Sequence, residues 1–212
     1  PRVANTAAIT TPINGMIIYD LSSNCFKGYE DDLWTDCGLV EAAPTPITST
    51  TGKIWMDRNL GARQVATSAT DHLAYGNLYQ WGRKADGHQK ITWTNGTSGT
   101  PVNGTTTVNA DIPANKLFIL PSNSPFDWRV NQDNNLWNGV AAVNNPCPAG
   151  FRVPTNAELT AEVTAYSITN SATAFSSPLK FTVPGFRDLS TGALDRVSSY
   201  GYYWSSSVSG TF

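Results

Sequence analysis

Charge is scarce in this chain. Lys, Arg, Asp and Glu make up 14% of its 212 residues, and 14 basic against 16 acidic side chains leave a net charge of -2. So weak a basic field excludes nucleic acid and anionic membrane surfaces as expected partners. Long apolar runs are missing too. No stretch approaches the roughly 20 residues of a membrane helix, so the chain is not read as membrane-embedded. Histidine is limited to His72 and His88, neither in a metal-ligand spacing, and both read as solvated loop positions. A nucleophile elbow, a phosphate-binding loop and a dinucleotide-binding glycine pattern are all lacking, so no catalytic function is expected. The opening Pro1-Arg2-Val3 carries neither Met nor a signal peptide and reads as a mature or excised segment.

What is present is polar without charge. Ser, Thr, Asn and Gly must supply the surface, with aromatics at 11%. Cytosolic enzymes usually carry about 25% charged residues, whereas this balance suits secreted, β-rich adhesion proteins. The expected location is therefore extracellular, on a cell surface or secreted. Of three cysteines, Cys25 and Cys37 bracket a short polar loop, 26–36. A strand-loop-strand there would bring the thiols within bridging distance and stabilise by about 3 kcal/mol. Two reduced thiols, or half of a metal site, are the alternatives, although no His or third Cys lies nearby. Cys147 is left without a partner.

Residues 1–40 read as a small β-hairpin module. The β-prone run 15–20 follows the turn signal Pro12-Ile13-Asn14, and a second run centres on Leu33-Trp34-Thr35. Residues 41–51 are a Pro/Thr linker stiffened by Pro44 and Pro46, and the main domain is 52–212. In it, 53–57 reads as a strand with Ile54 and Met56 on one face and Trp55 on the other. Residues 75–81 stay open between helix and strand. Residues 85–115 show almost no periodicity and read as a functional or Ω-like loop. A helix starts at Thr155, where Thr155-Asn156-Ala157-Glu158 is a capping box after Pro154. Leu159, Val163 and Tyr166 then define one buried stripe. Strands are expected at 179–183 and 201–208.

Few residues suggest a site. Asn131-Gln132-Asp133-Asn134-Asn135 is a run of oxygen ligands, and a structural Ca²⁺ is the one cofactor considered. It lacks the mid-loop glycine and closing glutamate of an EF-hand. Asp31 and Asp32 read as turn formers. Asn95-Gly96-Thr97 and Asn103-Gly104-Thr105 match the glycosylation acceptor pattern. The richest stretch is 198–207, whose Tyr, Trp, Ser and Gly are the composition of binding loops. Alternation puts Tyr202 and Trp204 on one face and Tyr203 and Ser205 on the other, and the second pair is taken as exposed.

Three segments together resemble a known family. They are Ile54-Trp55-Met56-Asp57-Arg58-Asn59-Leu60-Gly61, Cys147-Pro148-Ala149-Gly150-Phe151-Arg152-Val153-Pro154-Thr155 and Gly201-Tyr202-Tyr203-Trp204-Ser205-Ser206-Ser207. In this order they resemble the Fibrobacter succinogenes major paralogous domain of Bacteroidetes surface and secreted proteins. The likeness spans about 52–212; the run 15–20 resembles a short module that often precedes such domains. The resemblance implies an α+β, C-type-lectin-like domain with short twisted antiparallel sheets, one or two helices and long loops. Its relation to the variable proteins of diversity-generating retroelements implies ligand-binding residues at Arg196, Ser198, Tyr200, Tyr202, Tyr203 and Trp204, to which the face pattern adds Ser205. Family members continue through a final hairpin ending near a Cys, the implied partner of Cys147. The chain is thus expected to be truncated at Phe212, or completed by a sister chain. The implied function is an adhesin-like module, or the tip domain of a cell-surface or phage fibre, meeting a protein or glycan ligand on another cell. The alternative is a passenger domain packing against partners in a secretion or filament assembly; a formylglycine-generating-like enzyme ranks third. The calcium-binding motifs of animal lectins are missing.

Overall fold

In the computed structural model, the described residues are 2–22, 25–30, 33–34, 44–122 and 126–208. They fall into two compact units, Pro1–Ala43 and Pro44–Phe212. The first is a four-stranded sheet of β1 (Arg2–Val3), β2 (Met16–Asp20), β3 (Cys25–Glu30) and β4 (Leu33–Trp34), in that order. β1 runs parallel to β2, and the other neighbours are antiparallel. The run at 16–20 therefore pairs first with 25–30 rather than with the run at Leu33. The supposed polar loop after Cys25 is strand because its aromatics find cross-strand partners. Phe26 meets Tyr19 edge-on at 5.0 Å, and Tyr29 meets Trp34 at 5.2 Å. Ile18 is buried beside Asp20, which holds Lys27 at 3.2 Å. Cys37, Asp31 and Asp32, and with them the Cys25–Cys37 disulfide, lie outside the described residues.

The second unit begins inside the stretch read as linker. β5 (Pro46–Thr48) pairs antiparallel with β6 (Ile54–Met56) across a turn closed by Gly52 N–H on the Ser49 carbonyl at 3.0 Å. Residues 75–80 form neither helix nor strand; they follow a single 3-10 turn at His72–Ala74, capped by the Asp71 carboxylate. The long loop predicted at 85–115 instead contains a hairpin, β7 (Ile91–Asn95) with β8 (Ser98–Pro101), and then β9 (Thr105–Thr106). β9 pairs parallel with β10 (Phe118–Ile119). Helix α1 (Asn156–Ala165), helix α2 (Ser171–Ser176), and the antiparallel pair β11 (Phe186–Arg187) and β12 (Leu194–Asp195) complete the unit. The chain is thus mixed, with short, mainly antiparallel sheets and few helices, compatible with an α+β class. Among the described residues, 179–183 and 201–208 belong to no ladder, and a single bridge joins Gly185 to Gly201.

With strands this short, side chains do much of the joining. Ile119, Trp128 and Leu136 pack as a buried cluster. Six tryptophans stand in this unit, and each donates its indole N–H: Trp55 to Glu162, Trp81 to Ser205, Trp93 to Gly76, Trp128 to Trp81, Trp137 to Arg83 and Trp204 to Tyr79. All but the first of these acceptors are backbone carbonyls, groups that a longer sheet would have satisfied by itself.

Helix α1 starts where expected. The Thr155 hydroxyl accepts from Glu158 N–H, and the Glu158 carboxylate accepts from Thr155 N–H. Arg152 grips the same carboxylate at 2.7 and 2.9 Å, which holds its pKa down at about 2. Thr155→Ala should cost about 1 kcal/mol, read as a lower urea midpoint with unchanged slope. The buried stripe is different from the predicted one. Val163 is 42% exposed, and Glu162 is the fully buried residue. Its Oε1 accepts from Ser49 Oγ, Thr51 Oγ1 and Trp55 Nε1, so the helix docks through a carboxylate rather than through aliphatic side chains.

Candidate functional site

The three motif segments converge in space. Asn59 Nδ2 donates to the carbonyls of Ala74 and Tyr75 and to Thr182 Oγ1, with Tyr203 Oη at 3.4 Å. Tyr203 Oη accepts from Thr182 N–H at 2.8 Å and donates to the Thr182 carbonyl at 3.0 Å. Ser206 N–H reaches the Pro154 carbonyl at 2.7 Å, and Ser207 Oγ accepts from Asn156 N–H. The C-terminal segment is therefore laid down on the strand-like run at 182 and on the start of α1. Tyr203 replaces a missing ladder bond with its phenol, and burial raises its pKa.

That placement decides which face of 201–205 is free. Tyr203 is turned inward, its ring edge-on to Phe181 at 4.6 Å. Tyr202 and Trp204 are 47% and 54% exposed, and Tyr200 is 55% exposed. The expected alternation is present, but the exposed pair is Tyr202 and Trp204, not Tyr203 and Ser205. The reason is local: the Tyr203 hydroxyl serves both backbone groups of Thr182. Ser205 is half-buried, with its carbonyl held by Trp81 and its hydroxyl on the Ser207 carbonyl at 3.2 Å.

Arg196 organises the free face. Its guanidinium lies 5.2 Å from the Tyr200 ring centroid and donates to Tyr202 Oη at 2.9 Å. Tyr200 and Tyr202 stand 6.2 Å apart at 35°, and Phe186 meets Tyr202 edge-on at 5.0 Å. Arg196 also lines an open cleft of about 390 Å³ with Thr97, Ser98 and Gly99 on one side and Leu194, Asp195 and Val197 on the other. Arg196 and Ser198 both adopt the left-handed backbone region, at φ 54° and 67°. For residues with a Cβ, this conformation costs about 1–2 kcal/mol each and persists only when the surroundings impose it. The surroundings are Gly185, Val183 and Tyr200: Ser198 N–H donates to the Val183 carbonyl, and Gly185 N–H to that of Tyr200. Of the predicted residues, Arg196, Tyr200 and Tyr202 touch one another on one exposed surface, and Trp204, two positions further on, is exposed as well. Ser198 shapes the loop, and Tyr203 and Ser205 support it from beneath. Thr97, Ser98 and Asp195 were missed, although the Asn95-Gly96 turn signal between β-prone runs marks the hairpin that delivers the first two.

The histidines and the oxygen-rich run do other work. His88 is fully buried rather than solvated, as is Arg83 beneath it. His88 Nε2 accepts from Gln80 N–H at 3.0 Å, which leaves Nδ1–H to donate to Asp86 Oδ1 at 2.7 Å. Burial, opposed by Asp86, pushes its pKa down to about 4. Arg187 lies 4.0 Å over the Phe118 ring and donates to the His88 carbonyl; burial beside Arg83 lowers its pKa to about 10. In the oxygen-rich run, Asn131 donates from its backbone and side chain to the Asp111 carboxylate. Asp133 Oδ1 and Asn134 Oδ1 accept from Asn135 N–H and from the Gln132 amide. Burial pushes the Cys147 thiol up to about 11, so it is a weak nucleophile near neutrality. Asn103 has its amide nitrogen on the Gly87 carbonyl at 2.9 Å, whereas Asn95 turns its oxygen toward Thr97 and Ser98. Among the described residues no group of three or more His, Cys, Asp or Glu is placed to hold a metal, and no helix is long and apolar enough to cross a membrane. Comparison with family models, with curated proteins and with solved structures finds no match.

Proposed function

We propose that residues 44–212 form a non-catalytic ligand-binding module, displayed outside the cell on a surface structure or fibre. Its site is the surface of Arg196, Tyr200, Tyr202 and Trp204 beside the cleft of β8 and β12. The observation that carries this reading is a costly loop. Two residues with left-handed backbone, Arg196 and Ser198, are held so that a guanidinium and half-exposed aromatic rings face solvent together. A fold that needed only stability would bury those rings or replace them. The convergence of the three motif segments around Asn59, Tyr203 and Pro154 supports the resemblance to the major paralogous domain and its C-type-lectin-like fold. The low charge supports an exported protein.

A second reading, a passenger domain packed against partner proteins, draws on a different patch. Ala110 N–H meets the Trp128 carbonyl at 3.3 Å, so two loop segments run together and expose Val108, Ile112 and Val130. The two readings part on one experiment. The full chain, screened on protein and glycan arrays, should give hits that Tyr200→Ser with Tyr202→Ser lowers by about tenfold or more at unchanged melting temperature. Hits that ignore these substitutions but vanish with Val108→Asp and Ile112→Asp would replace the first reading by the second.

A further inference from the structure

The chemistry left free at this surface points to a class of ligand, and the inference rests on the binding reading above. Tyr200, Tyr202 and Trp204 occupy alternate positions of one segment, each about half exposed, while the intervening Tyr203 faces inward. Four residue steps of extended chain reach at most about 14 Å, so this is a row of rings rather than a single pocket. Two of the three polar edges of the row are already engaged. The Trp204 indole N–H is held by the Tyr79 carbonyl, and the Tyr202 hydroxyl accepts from Arg196. An extended peptide, recognised mainly by donors aimed at its carbonyls, would find the indole donor occupied. What remains is chiefly ring faces, whose apolar area suits flat C–H surfaces, with the Tyr200 and Tyr202 hydroxyl protons at their edges.

Two charged groups with hydrogen-bonding capacity to spare complete the description. Asp195 and Arg196 stand side by side at the cleft, half exposed, with Arg196 Nε 3.9 Å from the Asp195 carboxylate. One charge cancels the other, so the site has no net attraction for an anionic ligand. Together they offer a planar acceptor and a planar donor, the pair that neighbouring hydroxyls of a sugar ring satisfy as both acceptors and donors. Thr97 and Ser98 line the opposite wall, with their hydroxyls bonded to the Asn95 side-chain oxygen. We propose that the site binds a linear, neutral oligosaccharide along the Tyr200–Tyr202–Trp204 row, with one ring's vicinal hydroxyls held between Asp195 and Arg196.

The test is a length series. The full chain is titrated calorimetrically with linear gluco-, manno-, galacto- and xylo-oligosaccharides of one to six residues, with and without EDTA. Polygalacturonate and heparin serve as acidic comparators. In at least one neutral series, affinity should rise by about tenfold from one to three residues and then level off, unchanged by EDTA. Tyr202→Ala and Tyr200→Ala, each checked for an unchanged melting temperature, should flatten the length dependence, and Asp195→Asn should weaken every length alike. No response to any neutral series, length-independent binding, loss in EDTA, or preference for the acidic polymers would each overturn the proposal. Array hits on proteins that depend on Tyr202, with no response to sugars, would overturn it while leaving the binding module standing. A surface whose substitutions affect no ligand at all would remove both.

Discussion

Gly185→Ala is expected to destabilise residues 44–212 by about 3 kcal/mol or more, and to abolish ligand binding at temperatures where the variant is still folded. Gly185 sits at φ 69°, where an alanine loses about 1–2 kcal/mol on conformation alone. Its Cβ would in addition come within 2.1 Å of the Asp195 carbonyl and 2.7 Å of Val197 N, which are backbone atoms that no rotamer change can move. The loop from Asp195 to Ser198 would have to lift off its seat, taking Arg196 away from Tyr202. Gly150 provides the control. It has φ 86°, but a methyl group added there would meet nothing within 4 Å, so Gly150→Ala should show only the conformational cost. Urea unfolding of both variants measures the difference. Equal losses would mean that close packing under the loop is not what holds it.

The second large effect is acid lability above the carboxylate range. His88 is neutral in the folded unit, with Nε2 accepting from Gln80 N–H and Nδ1–H on Asp86. Protonation would set two N–H groups against each other, with Arg83 and Arg187 as further positive neighbours and the rings of Tyr79 and Phe118 offering no counter-charge. Its pKa is depressed to about 4 from an ordinary value of 6.5. The unfolded chain therefore binds a proton that the folded chain refuses. Stability is complete above pH 6.5 and falls as pH drops toward 4, by on the order of 3 kcal/mol in total. The depressed carboxylates, Asp57, Asp71, Asp86, Asp111, Asp188 and Glu158, lose their contributions as pH falls through and below their unfolded values, near pH 4. Stability measured from pH 7 to 4.5 isolates the histidine. His88→Gln should be less stable at pH 7 yet lose the slope in this window; a slope that persists would assign it elsewhere.

What could be read from residue order depended on how local its cause was. The α1 cap was legible because Thr155 and Glu158 satisfy each other within four residues. The buried side of the same helix was not. Glu162 is buried only because Ser49, Thr51 and Trp55, more than a hundred positions away, all bring donors to it. Hydrophobic spacing had no means of registering that. The alternation along 202–205 was visible, whereas its direction was set by the backbone of Thr182. Asn95-Gly96 announced a hairpin, but the surrounding Thr and Gly content masked it. The parallel pairing of β9 with β10 joins two-residue strands with no periodic signal at all. The candidate surface was therefore found by composition and trimmed by contacts that only the fold supplies.

The clamped indoles have a spectroscopic consequence. Each of the six tryptophans in 44–212 offers an N–H proton with its own acceptor, and the acceptors are scattered from Gly76 to Ser205. In a proton NMR spectrum they constitute six built-in reporters, slow to exchange with deuterium while their clamps hold. Warming would then reveal the order in which the unit loosens. The Trp204 signal, whose ring is half exposed, should fade before that of Trp137, which is buried.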